Sequence, residues 1–331
     1  MVITVWHSLL VVVAPLAFLA AGLGVCHADR PVIKKRGTIE CDLVETTPVV
    51  FQNKLYRFEY VRENYKANPL GTACFRFVNV HTGKCTDPFA TGYHLGSAFV
   101  ENDRMYVYGV ERWGADTINV FCSNDLKTWT HETALQLPGW GIYNTSVCKD
   151  DQGYTMAIEI GEPPEMAGRR FTIYFARSQD LLTWKLASTE CVYSKEKYTA
   201  CPALRFYDDY YYMVYLEHHR PKWYFAPHIV RSRDLIHWQE SLFGPMMEPS
   251  AEDKRVANPR LTSEEREHIA KAENCNNSDL DFCEFGAQTL IYYTWGNQRG
   301  IEFLAEAVYA GSEAELLKAY FPEDDTRSGE Q

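Results

Sequence analysis

The chain has 331 residues, of which 46% are hydrophobic, enough for a large buried core. Its net charge is −11 and it contains no long run of Lys and Arg, which argues against nucleic acid as a partner. Aromatic residues make up 14% of the chain, with 21 Tyr and 8 Trp, an excess typical of β-structure and of sugar-binding surfaces.

The first 28 residues are typical of a secretory signal peptide. The segment from Val2 to Val25 is almost wholly apolar, and a small-residue cleavage site ends at Ala28. The segment lacks Lys and Arg before its apolar run, and that run approaches the length that spans a bilayer, so a retained membrane anchor is the alternative. After removal of this leader we expect a secreted or periplasmic protein without a membrane attachment.

Nine cysteines follow the predicted leader, and an exported protein is expected to pair some of them. The candidate disulfide pairs are Cys74/Cys85, Cys191/Cys201 and Cys275/Cys283. The sequence does not determine connectivity, and the odd number leaves at least one thiol free. Neither a Cys-x-x-Cys nor a His-x-x-x-His spacing occurs, so we expect no metal site and no cofactor.

A Ser-x-Asp-Leu-x-x-Trp motif occurs three times at nearly equal spacing. Its copies are SNDLKTW (123–129), SQDLLTW (178–184) and SRDLIHW (232–238). We expect the Ser and Asp side chains to bond backbone groups of a turn, and the Leu and Trp side chains to pack between neighbouring units. Because the motif falls on the outer strands of its unit, we interpret it as structural and not as catalytic.

Each motif closes a longer pattern of four short strands, and two further units resemble it. An earlier unit (TTPVVFQNKLYRFEYV and TACFRFVNVHTGK) has three strands and no Trp motif, and a last unit starts at NSDLDFCEF and ends in a short helix, EAELLKAYF. Five such units indicate a propeller, because one four-stranded sheet cannot bury both of its faces alone. The predicted fold is therefore all-β: a five-bladed β-propeller of four-stranded antiparallel blades over residues 29–322, with 323–331 as a disordered tail.

A helical insertion is predicted between the fourth and fifth units. Thr262 and Glu265 have the spacing of a capping box, and a polar run follows them. This pattern predicts a short helix from Ser263 to Glu273 that leads into the last blade.

The propeller also predicts where a site would form, because the start of the first strand and the end of the second strand lie at the same face of each blade. The second-strand ends carry Glu59, Glu111, Glu159, Glu217 and Trp295. The first-strand starts carry Glu45, His94, Asn144, Thr199 and the pair Asp279/Asp281, whose period-two spacing places both on one strand face. Converging carboxyl groups in an aromatic-rich site are what glycosidic-bond cleavage requires, since one protonates the leaving oxygen and another activates water or attacks the anomeric carbon.

These positions give specific candidate roles. We expect Asp279 or Asp281 to act as base or nucleophile, and Glu159 or Glu217 to act as acid, with Glu111 as a further catalytic candidate. The predicted substrate-binding residues are Glu59, His94, Arg112, Asn144, His218 and Trp295. The residues available for hydroxyls or for a sulfate or carboxylate substituent are Arg112, His218, His219 and Arg220.

Simpler interpretations of the same residues stay open. Any one of these Glu residues could pair with a surface arginine, and Trp295 could pack between blades instead of carrying a sugar. Asp279 and Asp281 could bind a structural cation or cap a turn. His218 and His219 are adjacent in a strand and cannot both face the channel.

The turn motif within a five-unit β pattern resembles the five-bladed propeller glycoside hydrolases, the broad group that includes families 32, 43, 62 and 117. The resemblance covers roughly Glu40 to Phe321, and the fifth-unit stretches NNSDLDFCEF and YYTWGNQRGIEFLAEAVY are similar to bacterial proteins named only as glycosyl hydrolases of this kind. The usual catalytic carboxylate motifs are altered: Thr47-Pro48 stands where Asp-Pro is common, and Ala200-Cys201-Pro202 stands where family 32 has Glu-Cys-Pro. The resemblance thus implies a hydrolase of O-glycosyl bonds whose carboxylates lie elsewhere.

Three functions follow from the sequence, each with an oligo- or polysaccharide partner. The leading one is an exported glycoside hydrolase that uses carboxylate general acid/base chemistry at the propeller mouth. The alternative is a non-catalytic carbohydrate-binding propeller, which the altered family motifs favour. A glycoside phosphorylase is the third, and it requires a basic phosphate pocket that faces the same channel.

Overall fold

The computed structural model describes residues 29–66 and 68–322. The predicted signal peptide (1–28) and the predicted disordered tail (323–331) lie outside these residues. Within them, strands predominate and helices are few and short, so the all-β class is confirmed. None of the helices in this part of the chain has the length and apolar character needed to cross a membrane.

After an N-terminal strand, β1 (Lys34–Cys41), the described strands fall into five consecutive groups of antiparallel neighbours. One parallel pair, Phe225 with Asn276, joins the fourth and fifth groups into a single eight-stranded sheet. The first group is β2 (Thr46–Phe51), β3 (Lys54–Val61) and β4 (Cys74–Asn79). The second group is β5 (His94–Glu101), β6 (Arg104–Val110), β7 (Thr117–Ser123) and β8 (Thr130–Gln136). The third group is β9 (Gly141–Asp150), β10 (Gly153–Glu162), β11 (Thr172–Ser178) and β12 (Lys185–Leu186). The fourth group is β13 (Thr199–Tyr207), β14 (Tyr210–His218), β15 (Phe225–Ser232) and β16 (Trp238–Glu240). The fifth group is β17 (Asn276–Phe285), β18 (Gln288–Gly296) and β19 (Glu302–Tyr309).

Among the described residues there are three short α-helices and one 3-10 helix. They are α1 (Pro164–Ala167), the 3-10 helix (Ala251–Lys254), α2 (Ser263–Lys271) and α3 (Glu313–Lys318). Helix α1 lies within the third group, the 3-10 helix and α2 lie between the fourth and fifth groups, and α3 follows the last strand. The predicted capping box is present at α2, where Thr262 Oγ1 accepts from the Glu265 N–H and the Thr262 N–H donates to Glu265 Oε2. This helix ends at Lys271 and not at Glu273, because Ala272 is already extended. The sequence did not predict α1 or the 3-10 helix.

Strand β1 joins the two ends of the described chain. It pairs antiparallel with β19, so the fifth group has the order β1-β19-β18-β17. Its sequence, KKRGTIEC, lacks a clean alternation and contains Gly37, and the sequence did not predict this strand. The N-terminal strand therefore supplies the fourth strand that the last group needs.

The first strands of the five groups contact one another in sequence. Strand β2 contacts β5, β5 contacts β9, β9 contacts β13, β13 contacts β17, and β17 contacts β2 again. Hydrogen bonds connect some of these neighbours: the Ser97 and Thr145 hydroxyls lie 2.7 Å apart, and the Leu204 N–H donates to Ser146 Oγ at 2.9 Å. Residues at the start of these strands are consequently brought close to one another.

The Trp of each turn motif packs on the preceding group. The ring pairs are Trp129/Phe89, Trp184/Tyr108 and Trp238/Phe175, with centroids 3.8, 5.7 and 5.7 Å apart. Apolar residues of adjacent groups fill the space between them, and this packing forms most of the core. The predicted structural role of the motif is confirmed by these contacts.

The structure forms none of the candidate disulfides, and all nine cysteines of the described residues are free thiols. Cys74 is buried on β4, whereas Cys85 is exposed beyond the end of that strand. Cys191 is buried between the third and fourth groups, and Cys201 lies at the start of β13. Proximity in sequence was a poor guide here, because strand ends and loops carry neighbouring cysteines to different layers.

Candidate functional site

A β-bulge near the start of the first strand recurs in the second, fourth and fifth groups. Each bulge holds one residue in the left-handed region: Leu95 has φ 52°, Cys201 has φ 50° and Asp279 has φ 49°. A bulge adds one residue to a strand and changes the direction of its side chain. Cys201 and Asp279, in the bulges of β13 and β17, line the same narrow channel, and Asp279 adds to the effect of burial in raising the pKa of the Cys201 thiol.

Four carboxyl groups lie close together beside this channel. Glu45 precedes β2, Glu159 lies near the end of β10, Asp279 lies in the bulge of β17, and Glu302 is the first residue of β19. Burial is the largest cause of the raised pKa of Glu45, Glu159 and Glu302, and the Asp279 carboxylate raises each of them further. Crowded, buried carboxyls of this kind divide into protonated and ionised members near neutral pH.

Glu159 is the most enclosed of the four, with 2% of its surface exposed. Its Oε2 accepts hydrogen bonds from the Cys201 backbone N–H at 2.8 Å and from Asn144 Nδ2 at 3.0 Å. Burial raises the pKa of Glu159 to about 7, although these two hydrogen bonds favour the charged form and oppose the increase. This carboxyl is therefore able to give or take a proton at neutral pH.

Glu45 and Glu302 share the cation Arg62. Arg62 Nη2 donates to Glu45 Oε1 at 2.7 Å, while Glu45 Oε2 is buried and has no hydrogen-bond partner among the described residues. Burial raises the pKa of Glu302 to about 7, which Arg62 opposes and Asp279 reinforces. Two of the four carboxyls thus have a pKa of about 7, and a single guanidinium partly balances the group.

Aromatic rings form a wall beside Arg62. The guanidinium carbon lies 5.7 Å from the ring centroid of Tyr60, 5.4 Å from that of Tyr65 and 5.1 Å from that of Trp113. The Tyr60 hydroxyl is 2.7 Å from His94 Nδ1, and Trp113 Nε1 donates to the same hydroxyl at 3.4 Å. Trp113 is 49% exposed, so this wall offers a ring face on which a sugar can stack.

The channel that the first strands line beside the four carboxyls is narrow. Its lining includes Glu45, Asn144, Cys201 and Asp279, and its volume is about 30 Å³, the share of liquid volume taken by one water molecule. A sugar ring can therefore approach the carboxyl group from the open mouth and cannot enter the channel.

Asp281 also lines the narrow channel, but it does not share a strand face with Asp279, which corrects that expectation. The bulge between Ser278 and Asp281 interrupts the period-two alternation. Asp281 Oδ1 instead accepts from Arg205 Nη2 at 2.7 Å and from the Phe282 N–H at 2.8 Å, and Arg205 also pairs with Glu313. This partly buried ion-pair network lines a cavity of about 350 Å³ farther along the first strands.

Glu217 and His218 line a separate pocket between the third and fourth groups. The Tyr215 hydroxyl donates to Glu217 Oε2 at 3.1 Å, and Lys197 Nζ is 3.8 Å from the same oxygen. His218 stacks on Phe225 with centroids 4.3 Å apart. The structure therefore places Glu217 beside a lysine and away from Glu159 and Asp279.

Glu111 and Arg112 are exposed just beyond the end of β6. Glu111 Oε1 accepts a long hydrogen bond, 3.4 Å, from the Tyr93 hydroxyl. Neither residue contacts the four carboxyls, so their predicted roles in the site find no support in their positions.

Glu59 is buried in ion pairs and Trp295 is buried in the core, which corrects their assignment to substrate binding. Glu59 has 0% exposure and pairs with Arg57 Nη2 at 2.5 Å and Arg76 Nε at 2.6 Å. Trp295 also has 0% exposure, stacks on Phe303 at 4.6 Å, and donates from Nε1 to Thr38 Oγ1 at 2.8 Å. A ligand at the mouth cannot reach either side chain.

The structure brings Glu159, Asp279, Asn144 and His94 to one mouth, and it adds residues that the sequence did not assign. The added residues are Glu45, Arg62, Tyr65, Trp113, Cys201 and Glu302. Glu45 stood at a first-strand start and had the same positional signal as His94. Glu302 had no such positional signal, because it starts a third strand and reaches the mouth only through the pairing of β18 with β19.

Within residues 29–66 and 68–322, no group of three or more His, Cys, Asp or Glu is arranged to hold a metal ion.

No protein-family model matches this chain, and no curated protein matches its sequence. Solved structures do resemble it. An exo-1,5-α-L-arabinanase from a bovine ruminal metagenomic library is 10% identical, with 82% of this chain and 93% of that chain covered and a TM-score of 0.53. An α-L-arabinofuranosidase from Fusarium graminearum, solved with an iminosugar inhibitor, is 11% identical, with 85% and 98% covered and a TM-score of 0.55.

A third similar structure has another activity. It is an N-acetylgalactosamine deacetylase from F. plautii in complex with a blood group B trisaccharide, 10% identical, with 88% and 95% covered and a TM-score of 0.55. At such identities the likeness shows the fold alone. The chain has the β-propeller fold of these glycoside hydrolases, and the resemblance found in the sequence is confirmed at that level.

Proposed function

We propose that this chain is a glycoside hydrolase whose catalytic carboxyls lie at the mouth of a five-bladed propeller formed by residues 29–322. The convergence of Glu45, Glu159, Asp279 and Glu302 beside the narrow channel is the observation that carries the proposal. We further propose that the protein is exported, since its first 28 residues have the pattern of a leader.

The carboxyls divide naturally into acid and base. With a pKa of about 7, Glu159 retains a proton in slightly acidic and neutral solution and can protonate the leaving glycosidic oxygen. Asp279 can then remove a proton from the attacking water or attack the anomeric carbon itself. Glu302, with a pKa of about 7 and a partly exposed side chain, is the second possible proton donor.

Hydrolysis of a panel of oligosaccharides and polysaccharides tests this function. We expect Asp279→Asn and Glu159→Gln each to lower the turnover of a cleaved substrate about a hundredfold or more, because a general acid or base accelerates the reaction by at least about that factor. Glu101→Gln, which alters a surface ion pair with Lys149, is the matched control and should retain activity. Glu302→Gln separates the two possible proton donors.

Activity should also fall as the pH rises through about 7, because the acid then loses its proton. The anomeric configuration of the first product, followed by NMR, distinguishes inversion from retention. Full activity of Asp279→Asn, Glu159→Gln and Glu302→Gln would exclude the cluster of four carboxyls as the catalytic centre.

A non-catalytic carbohydrate-binding propeller is the second candidate. The narrow channel and the 2% exposure of Glu159 favour it, because a catalytic acid must reach the glycosidic oxygen. It predicts that glycans of the panel bind without release of any product. Parallel measurement of binding and hydrolysis on the same panel therefore separates the two candidates.

A further inference from the structure

A pocket of opposite charge lies next to the cluster of four carboxyls (Glu45, Glu159, Asp279 and Glu302). It has a volume of about 390 Å³ between the third and fourth groups of strands. Its cationic lining residues are Arg169, Arg170, Lys197 and Arg220. The acidic residues of the lining are Glu196 and Glu217, so the cations exceed the anions in a chain whose net charge is −11.

Two of the four cations are already neutralised. Arg170 Nη2 pairs with Glu162 at 3.0 Å, and Lys197 Nζ pairs with Glu240 at 2.7 Å. The Arg169 and Arg220 guanidiniums, in contrast, form no ion pair and no side-chain hydrogen bond with any residue of 29–66 or 68–322. Arginine presents a planar fork of N–H donors that matches carboxylate and sulfate groups.

The backbone around both arginines is held in place. The Arg169 N–H donates to Lys195 O at 2.7 Å, and Gly168, with φ +59°, approaches so closely that a Cβ would lie 2.2 Å from that same oxygen. The Arg220 N–H donates to His218 O at 3.0 Å, and the His219 N–H donates to Tyr224 O at 2.9 Å. Fixed backbone positions reduce the entropy that a ligand must remove when it orders these side chains.

Tyr198 lies between this pocket and the residues around the cluster of four carboxyls. Tyr198 lines the pocket and packs against the same buried cluster as Cys201, which lines the channel. Burial raises the pKa of Tyr198, and Cys201, Glu159 and Asp279 raise it further. A glycan with one unit at the channel mouth would therefore place a neighbouring unit over Tyr198 and against the arginines.

We infer that Arg169 and Arg220 form a subsite for an anionic group, a carboxylate or a sulfate, on a glycan bound at the channel mouth. The inference rests on the proposed function for the position of the glycan, and it names the substrate class: acidic instead of neutral saccharides. The carboxyls at the mouth repel such a group, and the cationic pocket draws it to one side, so the pair of charges also orients the chain of sugars.

Calorimetric binding of matched saccharides tests the inference. The probes are oligogalacturonates and oligoglucuronates, their methyl esters, which keep the sugar chain and remove the charge, and sulfated galactose oligosaccharides with their unsulfated forms. We expect an acidic probe to bind at least about tenfold more tightly than its neutral form at low salt, and the difference to shrink as salt is added. The class of probe that binds more tightly, carboxylated or sulfated, identifies the anionic substituent that the subsite prefers.

Variants locate the subsite. Arg169→Gln and Arg220→Gln should each weaken the acidic probe about threefold, and the double variant about tenfold, since exposed charge pairs are individually modest. Binding of the neutral probe should be unchanged. Arg260→Gln, which removes an exposed arginine outside the pocket, is the matched control.

The outcomes separate this inference from the proposed function. Acid-selective binding that depends on Arg169 and Arg220 without hydrolysis would contradict the enzyme and support the subsite. Hydrolysis of neutral glycans with no preference for charge would support the enzyme and overturn the subsite. Failure of every acidic probe to bind more tightly than its neutral form, or an unchanged affinity in the double variant, also overturns it.

Discussion

Glu159 shows at the scale of one residue how enclosure changes a carboxyl. An isolated glutamate has an ordinary pKa of 4.5 and is ionised at neutral pH, but the buried Glu159 has a pKa of about 7. Asn144 and the Cys201 backbone stabilise its charged form, and burial outweighs them. Equivalent strand-end positions did not predict this difference, because Glu59 at the end of β3 is paired with two arginines and Glu217 at the end of β14 lies beside a lysine.

This pKa has a consequence for stability. Between pH 4.5 and about 7 the folded protein retains the Glu159 proton while the unfolded chain has lost it, so the folded state loses stability as the pH rises through this window. Glu159→Gln removes this titration and keeps a hydrogen-bond acceptor. We expect the variant to gain up to about 3 kcal/mol relative to the wild type between pH 4.5 and pH 8.

Urea denaturation of both proteins at pH 4.5 and pH 8 measures the change. Glu101→Gln, in a surface pair with Lys149, should show no comparable pH-dependent gain. A constant difference between Glu159→Gln and the wild type across this range would contradict the raised pKa.

The turn motif is the clearest example at the scale of the element. In the third group, Ser178 Oγ accepts from the Asp180 and Leu181 N–H groups, and Asp180 Oδ1 accepts from the N–H groups of Leu182 and Thr183. The copies at Ser123 and Ser232 form the same bonds. Because every one of these contacts lies within seven consecutive residues, the sequence sufficed to predict the turn.

We expect Asp180→Ala to lower the free energy of unfolding by about 1 kcal/mol, because two backbone N–H groups lose their acceptor. Asp180→Asn keeps an acceptor oxygen and should cost less, and Asp151→Ala in a nearby exposed turn serves as the control. Equilibrium denaturation supplies the values. Glycan hydrolysis or binding should be unchanged, and its loss in a stable Asp180→Ala protein would assign chemistry to the motif.

At the scale of the whole molecule, strand β1 and the last group hold the two ends of the described chain together. Lys35 on β1 is buried, pairs with the fully buried Asp253 at 2.7 Å, and donates to Asn277 Oδ1 at 2.7 Å. Thr38 bonds to Trp295 and to the backbone of Asp253. These contacts join residues more than two hundred positions apart, so no local sequence pattern predicts them.

We expect Lys35→Met to lower the free energy of unfolding by about 3 kcal/mol or more, because it leaves the Asp253 charge buried without its cation. The neighbouring Arg36→Met removes a partly exposed pair with Glu306 and should cost less than about 1 kcal/mol. Denaturation of the two variants compares a buried with an exposed cation on one strand. Equal costs would contradict a special stabilising role for the buried Lys35–Asp253 pair.

The sequence by itself determined the features that depend on local spacing. The repeated turns, the antiparallel strand groups and the capping box at Thr262 follow from residues near one another in the chain. Only the tertiary structure decided which carboxyls meet, because bulges redirect Asp279, an ion pair withdraws Asp281, and strand pairing brings in Glu302. Burial, and with it the pKa of each carboxyl, is a property of the assembled sheets and has no signal in the order of the residues.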